Sequence, residues 1–331
     1  MIDERTDRLH SAALALVAAP RGILAADESP GTMSARLRDV GVEATPIARR
    51  DYREMLLTTP GLSESVNGII LADETFRQTL SDGRSFPQTC ADAGVVPGIK
   101  VDTGTKPLAF APGETVTEGL DGLRERLSDY AAAGARFAKW RAALALGDQL
   151  PSDRAVVVNA HALGRYAALS QEAGLVPIVE PELLMEGDHG IERCAQATAR
   201  LLDTLFTSLR TQGVDLAGMV LKPSMLLAGT TCTRQPSVDE VCATTIRVLR
   251  DTVPEAVPGI AFLSGGQPPE AATAHLAAIA AQPTPWQVTF SFGRALVGPA
   301  LQAWAGDPAR WQAGQAALDE RVRANSAVLA A

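Results

Sequence analysis

"LAGMVLKPSM", residues 216–225, is a run of small and apolar residues that ends at Lys222 and is followed at once by Pro223. The run predicts a buried strand, although lysine is among the residues least often found fully buried. Seven other segments share the pattern of an apolar, β-prone run that ends in polar or charged residues. They are "GILAADES" (22–29), "NGIILADE" (67–74), "VPGIKVD" (96–102), "RFAKWR" (136–141), "VPIVEPE" (176–182), "GIAFLSGG" (259–266) and "VTFSFGR" (288–294).

The stretches between these segments are long enough for a loop, a helix and a second loop. One of them, "GLDGLRERLSDYAAAGA", predicts a helix that includes Leu120, Leu123 and Leu127. Apolar strands that alternate with helices indicate an α/β fold with a parallel sheet. Eight such units favour a closed (β/α)8 TIM barrel over an open doubly wound sheet. We predict a single barrel domain over residues 1–331, with an additional N-terminal helix that ends before Pro20.

Composition restricts the classes of partner. The net charge of -8 argues against nucleic acid as the main partner. No apolar run approaches the roughly 18 residues that a membrane span needs, so we expect no membrane association. The N-terminus carries acidic residues where a signal peptide would be positive, and the four cysteines form no CxxC pair. These features predict a cytoplasmic protein with free thiols.

The carboxyl ends of the strands carry the candidate chemistry, because active sites of barrels lie at that face. A neutral Lys222 amine at the barrel mouth can attack a ketone and form a Schiff base. Burial and a nearby cation, which Lys139 on another strand would supply, both favour the neutral form. The alternative is that Lys222 only extends to the rim, with its ammonium in water.

Three carboxylates also follow strands. Glu180 and Glu182 are two residues apart in "IVEPE" and therefore point to the same side of one strand. They suit general acid–base work near the lysines, or else form structural ion pairs with Lys139 or Lys222. Asp27 either takes a proton from a substrate hydroxyl or only caps the next turn.

Two groups of residues predict anion sites. The ends of the seventh and eighth strands combine glycine turns, a hydroxyl and a guanidinium, and barrels often bind phosphate there. These residues are Ser264, Gly265, Gly266, Gly293 and Arg294. A second anion site is predicted near strands one, three and four. Its residues are Ser29, Thr32, Lys100 and Arg141.

Metal catalysis is not expected from this sequence. The histidines are His10, His161, His189 and His275, which are well separated and do not end strands. A zinc lyase would need several convergent imidazoles. We therefore assign each histidine a hydrogen-bonding or surface role, and we expect neither a metal nor a cofactor.

The motifs together resemble the class I fructose-bisphosphate aldolases, the metal-free Schiff-base family. "GILAADESPGT", "SDGRSFPQT", "PGIKVD", "FAKWR", "VPIVEPE", "GDH", "LKPSM", "FLSGGQ" and "FSFGRAL" occur in family order over roughly residues 8 to 326. The resemblance implies a glycolytic and gluconeogenic lyase that splits fructose 1,6-bisphosphate reversibly into dihydroxyacetone phosphate and glyceraldehyde 3-phosphate. It also implies phosphorylated sugars as partners and a homo-oligomer, usually a tetramer in this family.

The resemblance also implies residue roles. Lys222 would form the Schiff base, Glu180 would be the principal acid–base group with Glu182 beside it, and Lys139 would be the neighbouring cation. Asp27 would assist carbon–carbon cleavage. The phosphate on the ketone side would contact Arg294, Ser264 and Gly265, and the phosphate on the aldehyde side would face Lys100, Arg141 and Ser29.

Some features of the sequence leave alternatives open. Animal members of the family use a terminal tyrosine on a mobile tail, whereas this sequence ends in "NSAVLAA", so we expect no tail tyrosine to serve. Pro30 and Thr32 vary the usual turn after "DES". The substrate preference stays open among fructose 1,6-bisphosphate, fructose 1-phosphate and sedoheptulose 1,7-bisphosphate. A phosphosugar-binding scaffold protein is the non-enzymatic alternative.

Overall fold

The computed structural model describes residues 2–330 and contains one eight-stranded parallel sheet. Each strand pairs with its neighbours in chain order, apart from a separate hairpin after the third strand. The barrel strands are Gly22–Ala26, Val66–Leu71, Val96–Lys100, Phe137–Leu144, Val176–Leu183, Val220–Leu221, Gly259–Phe262 and Gln287–Phe290. Each of the eight predicted segments overlaps one of these strands.

The sheet closes between its first and last strands. The backbone N–H of Ala25 donates to the carbonyl of Phe292, 3.0 Å away, just after the eighth strand ends. Side chains alternate along each strand, so that Ile23 and Ala25 belong to the cluster inside the barrel while Leu24 and Ala26 belong to the outer core. The predicted (β/α)8 barrel is therefore confirmed.

The predicted N-terminal helix is also confirmed, as Ile2–Val17. Its apolar side chains Leu9, Leu16 and Val17 belong to the same cluster as the residues inside the barrel. Because Val17 lies against Gly259, at the start of the seventh strand, this helix covers the amino-terminal end of the barrel. Access to the interior is left at the carboxyl end of the strands.

Helices cover the outside of the sheet and bury its outward side chains. They are Pro30–Asp39, Pro46–Leu57, Leu62–Ser65, Asp73–Arg77, Phe86–Asp92, Leu123–Ala132, Asp153–Glu172, Ile191–Thr211, Val238–Thr252, Pro269–Ala280, Arg294–Trp304 and Trp311–Ala330, with short 3-10 turns at Leu216–Gly218 and Pro308–Arg310. Ser29, Thr45, Ser152 and Ser237 cap four of them through side-chain oxygens. None of the helices in residues 2–330 is long and apolar enough to cross a membrane.

Two details differ from the sequence prediction. The helix predicted to include Leu120 begins only at Leu123, because Gly122 before it adopts the left-handed conformation at φ 63°. An antiparallel hairpin, Gly104–Pro107 with Thr115–Glu118, follows the third barrel strand and was not predicted. Its first residues reach the open end of the barrel.

Candidate active site

A cavity of about 550 Å³ opens at the carboxyl ends of the strands. Its volume lies within the usual range of small-molecule sites, roughly 300–1,000 Å³. The cavity walls include every residue that the sequence predicts for the site. These are Asp27, Ser29, Thr32, Lys100, Lys139, Arg141, Glu180, Glu182, Lys222, Ser264, Gly265, Gly266, Gly293 and Arg294.

Four buried charged groups meet on the floor of this cavity. Nζ of Lys139 lies 2.9 Å from a carboxylate oxygen of Asp27 and 2.7 Å from one of Glu180. Nζ of Lys222 lies 3.2 Å from the other oxygen of Glu180. Lys139 and Glu180 lie within the fourth and fifth strands, and Asp27 and Lys222 directly follow the first and sixth, at positions where strand alternation turns the side chain inward.

The contacts of Lys139 decide where the charges reside. Burial disfavours its ammonium, but attraction to Asp27 and Glu180 outweighs that cost and raises the pKa of Lys139 well above its usual range. Burial would likewise raise the pKa of Asp27, yet the charges of Lys139 and Lys222 lower it far below its usual range. Lys139 therefore stays protonated between two ionised carboxylates.

Lys222 is in the opposite situation. Burial lowers its pKa below that of a solvated lysine, and repulsion from Lys139 acts in the same direction, against attraction to Glu180. Glu180 is an incomplete counter-ion for Lys222, because the same carboxylate also lies against Lys139 and Arg141 lowers its pKa further. Lys222 therefore reaches the neutral form that nucleophilic attack requires at a lower pH than a solvated lysine does.

The second glutamate has a different partner from those considered in the sequence. Glu182 forms an ion pair with Nε of Arg141 on the neighbouring strand, and with neither lysine. Nζ of Lys100 lies 2.5 Å from Oδ1 of Asp102, and the backbone N–H of Arg141 donates to the other carboxylate oxygen, Oδ2, at 3.2 Å. Both cations of the predicted second anion site are thus already oriented by acidic neighbours.

The sequence left open whether Asp27 caps the next turn or acts on a substrate hydroxyl, and in the structure the capping residue is Ser29. Asp27 pairs with Lys139, whereas Ser29 caps the helix Pro30–Asp39 by accepting the backbone N–H of Thr32 at 3.2 Å. The hydroxyls of Ser29 and Thr32 are 3.0 Å apart. The start of this helix thus offers two hydroxyls to the cavity, and a helix N-terminus favours an anion.

The predicted phosphate turn has a backbone conformation that requires glycine. Gly265 and Gly266 have φ angles of 57° and 82°, in the left-handed region that other residues rarely adopt. A methyl group on Gly266 would lie 3.7 Å from Nη1 of Arg294, so the guanidinium is adjacent to the turn. Arg294 itself begins the helix Arg294–Trp304, directly after Gly293.

Comparison with known proteins identifies the family to which the chain belongs. The family model "Fructose-bisphosphate aldolase class-I" matches residues 8–331. The chain belongs to this family. It is 50% identical over 321 residues to "Probable fructose-bisphosphate aldolase class 1" of Xylella fastidiosa, with 96% of each chain covered. It is also 45% identical to "Fructose-bisphosphate aldolase B" of Gallus gallus, over 98% of this chain and 90% of the other.

A solved structure agrees with the fold. The fructose-bisphosphate aldolase of Plasmodium falciparum superimposes with a TM-score of 0.96 at 42% sequence identity, covering 98% of this chain and 95% of that one. The expected family is therefore confirmed, and this member is an enzyme, a lyase of the aldolase type.

Several cavity residues of this aldolase were not selected from the sequence. They are Glu28, Arg36, Asp102, Met185 and Ser291. Ser291 had a usable signal, since it follows the eighth strand at an inward position like that of Thr289. Its buried hydroxyl has no hydrogen-bond partner in the structure. The sequence could also have indicated Asp102, because this residue ends the predicted segment "VPGIKVD".

The histidines of the aldolase lie apart from one another. His10 pairs with Asp215 at 2.5 Å, and His275 lies 2.6 Å from Oε1 of Gln267. His189 is buried and its Nδ1 has no hydrogen-bond partner, so the hydrogen-bonding role expected for it is not seen at this atom. Within the described residues, no three His, Cys, Asp or Glu side chains are arranged to hold a metal ion.

Proposed function

We propose that this aldolase cleaves fructose 1,6-bisphosphate reversibly through a Schiff base on Lys222. The observation that carries the proposal is the buried amine of Lys222, which lies 3.2 Å from Glu180 while Lys139 neutralises the surrounding carboxylates. A lysine held in this way yields more of the neutral, nucleophilic amine at a given pH than a solvated lysine, which has a pKa of about 10.4 and is almost entirely protonated at pH 7.

The first stage forms the imine. The Lys222 nitrogen adds to the C2 ketone, and its extra proton passes to the oxygen that was the carbonyl. Loss of that oxygen as water leaves a protonated imine, and this step needs one proton delivered to the departing hydroxyl. Glu180 is the proposed acid–base group for it: its ionised carboxylate, adjacent to the amine, first takes up a proton from solvent and then delivers that proton to the departing hydroxyl. Glu182 lies one inward position further along the same strand and takes a supporting role with Arg141.

The second stage breaks the bond between C3 and C4. Asp27 accepts the proton of the C4 hydroxyl, the C3–C4 electron pair moves into the imine to give an enamine, and glyceraldehyde 3-phosphate leaves. A proton then returns to C3, with Glu180 as the leading donor and water as the alternative. Hydrolysis of the imine releases dihydroxyacetone phosphate and restores the lysine. Lys139 keeps both carboxylates ionised until they accept a proton.

Two anion sites suit the two ends of a sugar bisphosphate. We propose that Arg294, Ser264, Gly265, Gly266 and Gly293 bind the phosphate on the ketone side. Ser29, Thr32, Lys100 and Arg141 would bind the phosphate on the aldehyde side. Guanidinium groups and backbone N–H donors match phosphate oxygens, which supports both assignments.

Wider properties belong to the same proposal. Residues 1–331 would form a single aldolase domain that acts in glycolysis and gluconeogenesis, without a metal or other cofactor. A cytoplasmic location is supported by 47% identity to "Fructose-bisphosphate aldolase 4, cytosolic" of Arabidopsis thaliana, over 92% of this chain and 78% of that protein. A homotetramer is proposed by resemblance to the family, with phosphorylated sugars as ligands and no nucleic-acid or membrane partner.

The alternatives are separated by one assay. Cleavage rates for fructose 1,6-bisphosphate, fructose 1-phosphate and sedoheptulose 1,7-bisphosphate should favour the first, because only a bisphosphate of that length is proposed to occupy both anion sites. A phosphosugar-binding scaffold would cleave none of the three. The buried Lys222 argues against that reading, since phosphate binding alone needs no amine of lowered pKa.

The proposed nucleophile has a direct test. Borohydride reduction in the presence of dihydroxyacetone phosphate should place the adduct on the peptide that contains Lys222. Lys222→Arg should remain folded and lose at least about 99% of its cleavage activity, because a guanidinium stays protonated and cannot add to the ketone. An adduct on Lys100 or Lys139 would disprove the assignment.

A further inference from the structure

The first barrel strand ends at Ala26, but the catalytic geometry depends on the next residue. Asp27 must hold its carboxylate 2.9 Å from Lys139, in a position where the strand ladder no longer fixes the backbone. The register of the first strand with the second likewise ends at Ala26, which pairs with Leu71. Another group must therefore hold this part of the chain.

Arg53 provides that group. Its Nε donates to the carbonyl of Ala26 at 2.9 Å, and its Nη2 donates to the carbonyl of Glu28 at 2.8 Å. The two carbonyls flank Asp27, so one planar guanidinium bridges the backbone on both sides of this residue. Nη2 also lies 3.2 Å from the carboxylate of Glu28, which in turn pairs with Arg36.

The position of Arg53 sets it apart from the residues that contact the ligand space. It belongs to the helix Pro46–Leu57, its side chain is only 1% exposed, and it is not part of the cavity wall. A buried guanidinium needs both a counter-charge and acceptors for its N–H groups. Glu28 supplies the charge, and the two backbone carbonyls supply acceptors in a geometry that only the fork of an arginine matches.

We propose that Arg53 is a positioning residue, which holds the backbone on both sides of Asp27 and thereby aims its carboxylate at Lys139 and at the substrate hydroxyl. The inference rests on the proposed role of Asp27 in carbon–carbon cleavage. It predicts that Arg53 matters for cleavage and not for imine formation. Glu180 lies on the fifth strand and Lys222 just after the sixth, and the described structure shows no hydrogen bond or ion pair between Arg53 and either of them.

The experiment measures both stages in Arg53→Lys and Arg53→Met. Lysine keeps the charge toward Glu28, but a single ammonium cannot span two carbonyls that lie two residues apart. We expect kcat for fructose 1,6-bisphosphate cleavage to fall at least tenfold in each variant. Borohydride trapping of dihydroxyacetone phosphate on Lys222 should stay within threefold of the wild-type rate. If Arg53→Met does not fold, Arg53→Lys alone carries the test.

Arg49→Met is the matched control from the same helix. Arg49 is also buried, but it bonds to Glu74 and Ser34 and has no contact with the first strand. Its loss should leave both measured rates within threefold. The second control is the Asp27→Asn background, in which Arg53→Lys should change the residual cleavage rate by less than twofold, because the carboxylate that it positions is gone.

The outcomes separate this inference from the proposed function. A cleavage rate of Arg53→Lys within twofold of wild type overturns the inference, as does an equal loss with and without Asp27, or a parallel loss of trapping. Those results leave the Schiff-base proposal standing. If Asp27→Asn cleaves at the wild-type rate, the proposed role of Asp27 and the inference fall together.

Discussion

At the scale of single residues, the site works by unequal sharing of counter-ions. Lys139 contacts two carboxylates, whereas Lys222 contacts one that is already engaged. Two buried lysines in one cluster therefore have opposite pKa shifts, upward for Lys139 and downward for Lys222. The fixed charge holds the carboxylates ready for proton transfer, and the other amine stays available as a nucleophile.

Lys139→Met should raise the pKa of Lys222, because its repelling neighbour is removed and both Glu180 and Asp27 are left to attract the remaining ammonium. Less neutral amine is then present at a given pH. The borohydride-trapping rate increases with pH, and in the variant this increase should occur at higher pH than in the wild type. The trapping rate at pH 7 should fall by about tenfold or more. Lys139→Arg is the matched control, since it retains the cation. A profile of Lys139→Met that coincides with wild type would contradict this account.

The sequence predicted which residues gather, but not how they pair. The spacing of Glu180 and Glu182 placed both inside the barrel, because alternation along a strand follows from the chain alone. The pairing of Glu182 with Arg141 depends on the register between the fourth and fifth strands, in which Arg141 lies opposite Glu180 and Ala143 opposite Glu182. That register follows from packing over the whole barrel, so no local pattern contains it.

At the scale of elements, the loops after the fifth and sixth strands form one wall of the cavity. Three backbone hydrogen bonds of 2.8 to 2.9 Å join them, from Gly229, Thr230 and Thr231 to the carbonyls of His189, Met185 and Gly187. Met185 and Thr230 line the cavity. The wall next to the phosphate turn therefore depends on the close approach of two loop backbones.

Gly229→Ala should weaken this wall, because the added methyl carbon would lie only 2.2 Å from the carbonyl oxygen of Gly187. Since that oxygen belongs to the backbone, the loops must separate. We expect the free energy of unfolding to fall by about 1–3 kcal/mol, as for other overpacked sites, and KM for the bisphosphate to rise. Urea unfolding and steady-state kinetics measure the two effects.

Gly147→Ala is the control for that substitution. Gly147 lies in the loop after the fourth strand, and the nearest atom to an added methyl carbon there is 4.0 Å away. Its unfolding free energy should change by less than about 0.5 kcal/mol, with KM unaltered. If Gly229→Ala behaved like this control, the tight contact between the two loops would not support the cavity wall.

The elements differ in how well the sequence reveals them. The barrel strands are continuous apolar runs because both of their faces are buried, and that pattern is visible without a structure. The hairpin strands "GTKP" and "TVTE" are short and mostly polar or half-buried, so they lack any such pattern. Their pairing is set by the chain turning back at the barrel mouth, which only the structure reveals.

At the scale of the whole molecule, the barrel has one closed end and one charged end. The N-terminal helix adds apolar side chains at the bottom, while the top buries Asp27, Lys139, Glu180 and Lys222. Removing charges from water costs free energy, which a packed apolar barrel can offset. The buried charges on the cavity floor therefore lower the stability of the fold while they supply the groups that catalysis needs.

Lys222→Met should make the protein more stable at pH 7, by about 1 kcal/mol or more, since a poorly compensated buried ammonium is replaced by an apolar side chain of similar length. The sign follows from linkage. The folded pKa of Lys222 lies below its unfolded value of about 10.4, so the unfolded chain binds this proton more tightly, and wild-type stability is reduced wherever the unfolded lysine is charged.

The pH dependence of this difference separates a charge effect from a packing effect. As pH rises from the lowered pKa toward about 10.4, the folded protein has already released the proton and the cost disappears, so the advantage of Lys222→Met should shrink. Lys222→Arg keeps a cation at every pH and should show no gain. Urea unfolding at fixed protein concentration measures all three proteins, because association would otherwise shift apparent stability. An advantage of Lys222→Met that is equal at pH 7 and pH 10 would mean that the methionine packs better, and that the lysine ammonium is not the destabilising group.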